Sequence, residues 1–303
     1  MTSSSPYIAC HGHLPSGRDL SALFLNLVYS KRVERVSPDG ELADDMAAPP
    51  HPKDVELTRD GAVAILTIRA GAQRNALDGE VAGLLASRLL TAGDDPSVGA
   101  LVIAAEGPDY CSGGNLGLLR RAGADPAAPA AFQETGAIYE MFSLLATSPV
   151  PTVAAAQGHL MGAGVNLALA ADIVIASDDV VFQGFGRSGM HPGGGHLSLL
   201  IRKAPAAAPA LALFGQVITA EDAVRTGLAW TVVPRDQLLG TAVEVAKAAA
   251  TDPELARAVT ATYRAAADAR LPVRSGYMLE RAAQMWSLRR AVLRQEGHAG
   301  ERG

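Results

Sequence analysis

The sequence predicts an α/β fold that gives way to helices toward its C-terminus, and two observations carry that reading. From Val55 to about Ser177, short apolar runs of strand character alternate with stretches whose apolar residues recur at helical spacing, which is the pattern of strands feeding helices. From about Ala220 onward the helical spacing dominates, through "AEDAVRTGL", "LLGTAVEVAKAAA", "PELARAVTATYRAAADA" and "MLERAAQMWSLRRAVLRQ".

Taken in order, "VELTR", Asp60-Gly61 and "AVAILTI" read as a hairpin, because glycine accepts the positive φ of a tight turn. Asp78 can cap a helix carrying Val81, Leu84, Leu85 and Leu89 on one face. "ALVIAA" is a buried strand. Ile138, Met141, Phe142 and Leu145 mark an amphipathic helix, "PTVAAAQG" a strand, "GAGVNLALAA" a helix start and "DIVIAS" a further strand. The organisation expected is an N-terminal extension over 1–50, rich in Ser, Pro, Gly and charge, an α/β core over 51–240 and a helical region over 241–303.

Several classes drop out. Net charge is −5 and the basic pairs, such as Arg289-Arg290, are short, so nucleic acid is not an expected partner. The longest apolar tract, Pro149 to Ser177, is interrupted by Gln157, His159, Asn166 and Asp172, which argues against a membrane span. The N-terminus lacks the basic and apolar regions of a secretory signal. Two cysteines, Cys10 and Cys111, give no disulfide framework and suit a reducing compartment, by default the cytoplasm. "CHGH" at Cys10 to His13 has no second ligand pair, so no metal site is expected. Gly184 to Gly189 matches G-x-G-x-x-G, yet it runs into "MHPGGG" rather than a helix and lacks the distal acidic residue of a dinucleotide fold.

Three Gly-rich segments remain: "GPDYCSGGNL", "QGHLMGAGVNLALAADI" and "GMHPGGGHLSLL". Singly, each reads as a tight turn. Together with "RNAL" at Arg74 and "ITAEDAVRTGLAWTVVP", they resemble, in order and spacing, the signature blocks of the crotonase superfamily, the enoyl-CoA hydratase/isomerase family, over about residues 54 to 290.

The resemblance implies a crotonase-like spiral of repeated ββα units and an acyl-CoA substrate, with no cofactor beyond the CoA of the thioester. It implies a homotrimer or a dimer of trimers. It places the two oxyanion donors on the backbone N–H groups of Gly114 and Ala163, the second at a helix start whose partial positive charge adds to the N–H. It seats CoA between the "RNAL" loop and the first Gly-rich loop. Arg74 there meets a nucleotide phosphate or stays a solvated loop residue, and the backbone near Ala76 receives the pantetheine or adenine. Ser112, Gly113, Asn115, Leu116 and Gly162 flank the ester.

The chain departs from the family where hydration needs two carboxylates. Those positions fall on Asn166 and Phe185. His191 and His196, beside "PGGG", and Tyr139, on the preceding helix, are the candidate replacements, with Asn166 and Asn115 able to orient water or the acyl group. Glu140 is the nearest carboxylate on that helix. Asp172 reads as a turn stabiliser. The leading expectation is an enoyl-CoA hydratase/isomerase-like enzyme, a lyase, that stabilises an enolate. The alternatives are a CoA-thioester isomerase, decarboxylase or hydrolase using His in place of Glu, or a non-catalytic acyl-CoA-binding subunit.

Overall fold

The computed structural model describes residues 54–187, 190–269 and 272–300. Residues 1–50, with Cys10 to His13, lie outside them. Strand β1 (Asp54–Asp60) pairs antiparallel with β2 (Val63–Arg69) around Gly61, whose φ is +59°. From β2 the pairing turns parallel, through β3 (Ala100–Ala105) and β4 (Thr152–Ala156). The strands β3 and β4 are almost continuously apolar because parallel strands are covered on both faces.

A short β5 (His159–Met161) leaves this sheet, and β6 (Ile173–Ser177) returns to pair with β4. Strands β7 (Val181–Gln183) and β8 (Val217–Thr219) join β5 in a second sheet of order β5-β7-β8. Strand β9 (Thr231–Val233) completes the six-stranded sheet beside β6, within the stretch after Ala220 where helical spacing dominates the sequence.

Helix α1 (Gly79–Asp94) begins where Asp78 accepts from Val81 N, at 3.1 Å, and buries Val81, Leu85 and Leu89. It packs on α3 (Pro129–Ala146), which follows the short α2 (Leu116–Ala124). All four apolar residues expected to face inward on α3, Ile138, Met141, Phe142 and Leu145, are buried. Next come α4 (Ala163–Ala170), α5 (His196–Lys203), α6 (Ala208–Ala212) and α7 (Ala220–Thr226). Helix α8 (Leu238–Ala250) then covers one face of the large sheet, setting Leu238, Ala242, Val243 and Ala246 against Val63, Val102, Val153 and Ile175. The approach is close: a Cβ on Gly99 would fall 2.8 Å from Ala250 Cα.

The C-terminal α9 (Pro253–Ala269) and α10 (Val273–Gly300) pack on each other. Arg264 of α9 makes a two-pronged pair with Asp172, both bonds 3.1 Å, and also donates to the carbonyls of Ala146 and Ser148. Asp172 further accepts from Thr152 N and Oγ1, so the side chain read as a turn stabiliser ties α9 to the end of α4 and the start of β4. Arg290 pairs with Asp252 and Glu254 while stacking over Trp286. Among the described residues no helix is long and apolar enough to cross a membrane, and no group of three or more His, Cys, Asp or Glu is placed to hold a metal ion.

Candidate active site

The first Gly-rich loop is laced into hydrogen bonds on both sides. Toward β5, Cys111 N donates to His159 O and Met161 N to Cys111 O, at 3.3 and 3.1 Å. Toward the "RNAL" loop, Ser112 N donates to Arg74 O, Leu77 N to Gly113 O and Asn115 N to Leu77 O, at 3.0, 2.7 and 2.7 Å. In such a parallel bridge Leu77 engages the residues on either side of Gly114, so the N–H of Gly114 itself points away from Leu77.

The second loop approaches from β5. Gly162, with φ +48°, caps α4 and donates its N–H to Gln183 O at 2.9 Å, leaving Ala163 N as the first helical amide with no intrahelical acceptor. The two loops touch: a Cβ on Gly113 would lie 2.7 Å from Met161 O and 3.8 Å from Ala163 N. Among the described residues neither Gly114 N nor Ala163 N has an acceptor, and both residues line one cavity of about 290 Å³. Two unspent backbone donors at one cavity, the second at a helix start, can stabilise an oxygen that gains negative charge.

The rest of that cavity is apolar, with Leu116, Leu119, Ile138, Phe142, Met161 and Phe185 prominent in its wall. Tyr139 also lines it and is the one titratable side chain among the described lining residues. Its hydroxyl lodges against Gly193, where a Cβ would fall 2.5 Å from the oxygen. Asn166 reaches the wall with its amide spent on Gly193 O, at 2.9 Å, and Gly194 O, at 3.3 Å. His196 stands behind Asn166, 1% exposed and bonded to it at 2.7 Å, and does not line the cavity. Burial pushes its pKa down to about 4. His191 is exposed, with Nδ1 at 2.8 Å from Pro192 O, and does not line the cavity either. The cavity wall contains no carboxylate among its described residues, and Phe185 forms part of it. Cys111, fully buried, has its thiol pushed up to about 12 and is no nucleophile at neutral pH.

On the expected CoA side, Ser112, Gly113, Leu116 and Gly162 line the same cavity, with Leu116 67% exposed. The Asn115 side chain instead caps α2, accepting from Gly117 N and Leu118 N. Ala76 is buried behind the "RNAL" loop, its N–H donated to Gln73 O at 3.1 Å. Arg74 is half exposed and holds Asp109 through Nε at 2.6 Å.

Two residues that build this corner escape the sequence reading. Asn75, fully buried with φ +53°, accepts from Ala70 N and donates to Glu106 O and Asp109 O, which pins the "RNAL" loop to the first Gly-rich loop. Asp109, 5% exposed, accepts from Arg74 Nε, His159 N and the His159 ring, so it joins three segments. Only its position before "YCSGG" hints at this. The Arg74 hydrogen bond above all, then the His159 bonds, hold the Asp109 carboxyl below the usual carboxylate range against the opposing effect of burial. A depressed folded-state pKa adds stability above the unfolded value, about 3.9, and that stability is lost as pH falls through the folded value. Asp109→Asn is therefore expected to be less stable than the wild type at neutral pH, with the gap narrowing in acid. Urea unfolding at about pH 7 and about pH 3 checks this, and a gap independent of pH would remove the ionic role.

A parallel sheet flanked by helices, with two Gly-rich loops presenting unspent amides to an apolar cavity, is the crotonase architecture and defines an enzyme class that acts on CoA thioesters. The chain belongs to the enoyl-CoA hydratase/isomerase family, whose family model matches residues 58–287. It is 38% identical over 216 residues to the probable enoyl-CoA hydratase EchA14 of Mycobacterium tuberculosis, covering 70% of this chain and 82% of that one. It is 34% identical to the 1,2-epoxyphenylacetyl-CoA isomerase of Escherichia coli, covering 63% and 74%. Among solved structures, an enoyl-CoA hydratase from Polaromonas sp. JS666 superposes with a TM-score of 0.71 at 28% identity, covering 78% of this chain and 91% of that one.

Proposed function

We propose that the protein binds an acyl-CoA with its thioester carbonyl between the N–H groups of Gly114 and Ala163 and carries it through an enolate in hydratase/isomerase-type chemistry. The observation that carries this reading is the pair of unspent backbone amides facing one cavity. Tyr139 is the group assigned to proton transfer at the acyl carbons, because it alone among the described lining residues can exchange a proton. The apolar wall suits an apolar acyl group. Arg74, at the edge of the first loop, is the residue assigned to a CoA phosphate, with its charge already shared with Asp109. The protein is assigned to the cytoplasm as a homotrimer or dimer of trimers. Exposed Tyr277, Met278 and Leu288 along α10 supply apolar surface for that assembly.

A second reading, loss of CO₂ from a β-carboxyacyl thioester, is favoured by the lack of a carboxylate among the described lining residues, since decarboxylation generates the enolate without a base. One assay separates the readings. Purified protein is incubated with crotonyl-CoA and with longer enoyl-, malonyl- and aryl-CoA esters, and products are followed by mass. A water adduct or a double-bond shift, abolished or slowed at least about 10²-fold by Tyr139→Phe, is the expected result. Loss of 44 mass units from malonyl-CoA alone selects the second reading. Tight CoA-ester binding with no product from any ester would make the protein a binding subunit.

A further inference from the structure

At the cavity wall and just behind it lies a buried polar pair, Asn166 and His196, that an apolar protein interior has no packing reason to keep. Each is 1% exposed. The Asn166 amide points its Nδ2 at the carbonyls of Gly193 and Gly194, so its Oδ1 faces His196 Nδ1 at 2.7 Å. An amide oxygen only accepts, and His196 therefore carries its proton on Nδ1. The other ring nitrogen, Nε2, is buried with no hydrogen-bond partner among the described residues, beside Gly184 and in a ring set edge-on to Phe185 at 4.9 Å. A neutral ring fits that setting, since a proton on Nε2 would be a buried donor without an acceptor.

Leucine at both positions would bury more cheaply, so the pair needs another explanation. What it provides is orientation. The two ends of a carboxamide are nearly the same shape, and a reversed Asn166 would set its oxygen against two carbonyl oxygens. The His196 Nδ1–H selects the other orientation, in which one amide grips two consecutive carbonyls of the glycine turn. That turn uses left-handed backbone, with φ +65° at Gly194 and +79° at Gly195, and it has little room to drift inward: a Cβ on Gly194 would fall 2.9 Å from Asn166 Nδ2 and 3.0 Å from the Phe142 ring. Gly193, the first residue gripped, is the one against which the Tyr139 hydroxyl lodges.

We infer that His196 is a positioning residue: through the Asn166 amide it fixes the Gly193–Gly194 turn, and with it the wall that sets the Tyr139 hydroxyl over the acyl group. This rests on the thioester reading above. It makes His196 neither a base nor a substrate contact.

The test pairs two variants with a measurement on the wild type that needs no substrate. His196→Leu deletes the donor, and His196→Asn returns an amide N–H near the place of Nδ1–H. On the thioester that the wild type turns over fastest, His196→Leu is expected to lower kcat by roughly 10–10²-fold with KM changed by less than about threefold, because a small misplacement of a reacting group is costly while ester binding is made elsewhere. His196→Asn is expected to recover most of kcat. Nitrogen-15 NMR of histidine-labelled protein should show the His196 ring in the Nδ1–H tautomer, told apart from the His159 and His191 rings, whose Nδ1 atoms also face oxygens, by its absence from His196→Asn, with its Nδ1–H signal lost in Asn166→Ala. An Nε2–H tautomer, a wild-type kcat in His196→Leu, or an equal loss of kcat in the Leu and Asn variants with folding intact would overturn the inference. If the wild type turns over no ester, the functional reading fails on its own. The tautomer, and the shift of the Gly194 amide resonance between wild type and His196→Leu, then decide the positioning role.

Discussion

Ala163→Pro is expected to lower turnover of the preferred thioester by about 10²–10³-fold, the usual effect of removing one oxyanion donor. Ala163 is the first residue of α4, the helical position at which proline is best tolerated because its N–H has no partner inside the helix. The substitution thus spares the helix, but it deletes the proposed donor and sets the ring Cδ where the N–H pointed. The residue before a proline is normally crowded, but here it is Gly162, which has no Cβ to clash. Affinity for the ester should fall as well, because the ring crowds the carbonyl oxygen already in the ground state, and kcat falls further because the donor matters most once that oxygen gains charge. Steady-state kinetics, with circular dichroism and the Tm as controls for folding, check this. A folded variant that retains more than about a tenth of wild-type kcat would mean that the second donor lies elsewhere.

The second large effect concerns the contact that holds the two donor loops together. Gly164→Ala would drive a Cβ into the carbonyl oxygen of Cys111, within 3.0 Å of its carbonyl carbon and 3.1 Å of its side chain. That carbonyl accepts from Met161 N, so it cannot move without loosening the join between the first loop and β5. Overpacking against fixed backbone costs about 3 kcal/mol here, at the upper end of its usual range, and activity should fall with it as the two amides spread apart. Gly240→Ala in α8 is the control. Nothing lies within 4 Å of its Cβ position, so the same added methyl is expected to stabilise by about 0.5–1 kcal/mol. Urea unfolding of both variants decides the matter. A Gly164→Ala protein as stable as the wild type would show that the loops yield more easily than their bonding implies.

Much of this architecture was legible in the sequence because its signals are local. The hairpin at Asp60-Gly61, the Asp78 cap, the buried face of α3 and the long apolar strands each declare themselves within a window of a few residues. What stayed hidden depends on partners far along the chain. His159–Met161 is three residues between glycines and reads as loop, yet it is a strand because β7 and Cys111 meet it in space. Strand β9 is equally short and sits in a stretch of otherwise helical periodicity. At the site, "GGNL" and "GAGVNL" identify the donor loops by their order, whereas nothing near His196 says that its ring is turned to Asn166, 30 residues earlier. Asn75 and Asp109 act over gaps of 34 and 50 residues, and their neighbours in sequence give no hint of those partners.

The lacing of the first Gly-rich loop has a consequence for how new activities arise on this scaffold. Its amide directions are set by main-chain bonds to the segments on either side, braced by the side chains of Asn75 and Asp109, neither of which lines the cavity. Side chains at the cavity wall, such as Phe185, Tyr139 and Leu119, are therefore free to be exchanged with little disturbance to the charge-stabilising centre. The anion-holding part of the machinery can be inherited unchanged while the proton-handling part is lost, moved or reinvented, and a cavity with no carboxylate among its described lining residues is what that division of labour permits.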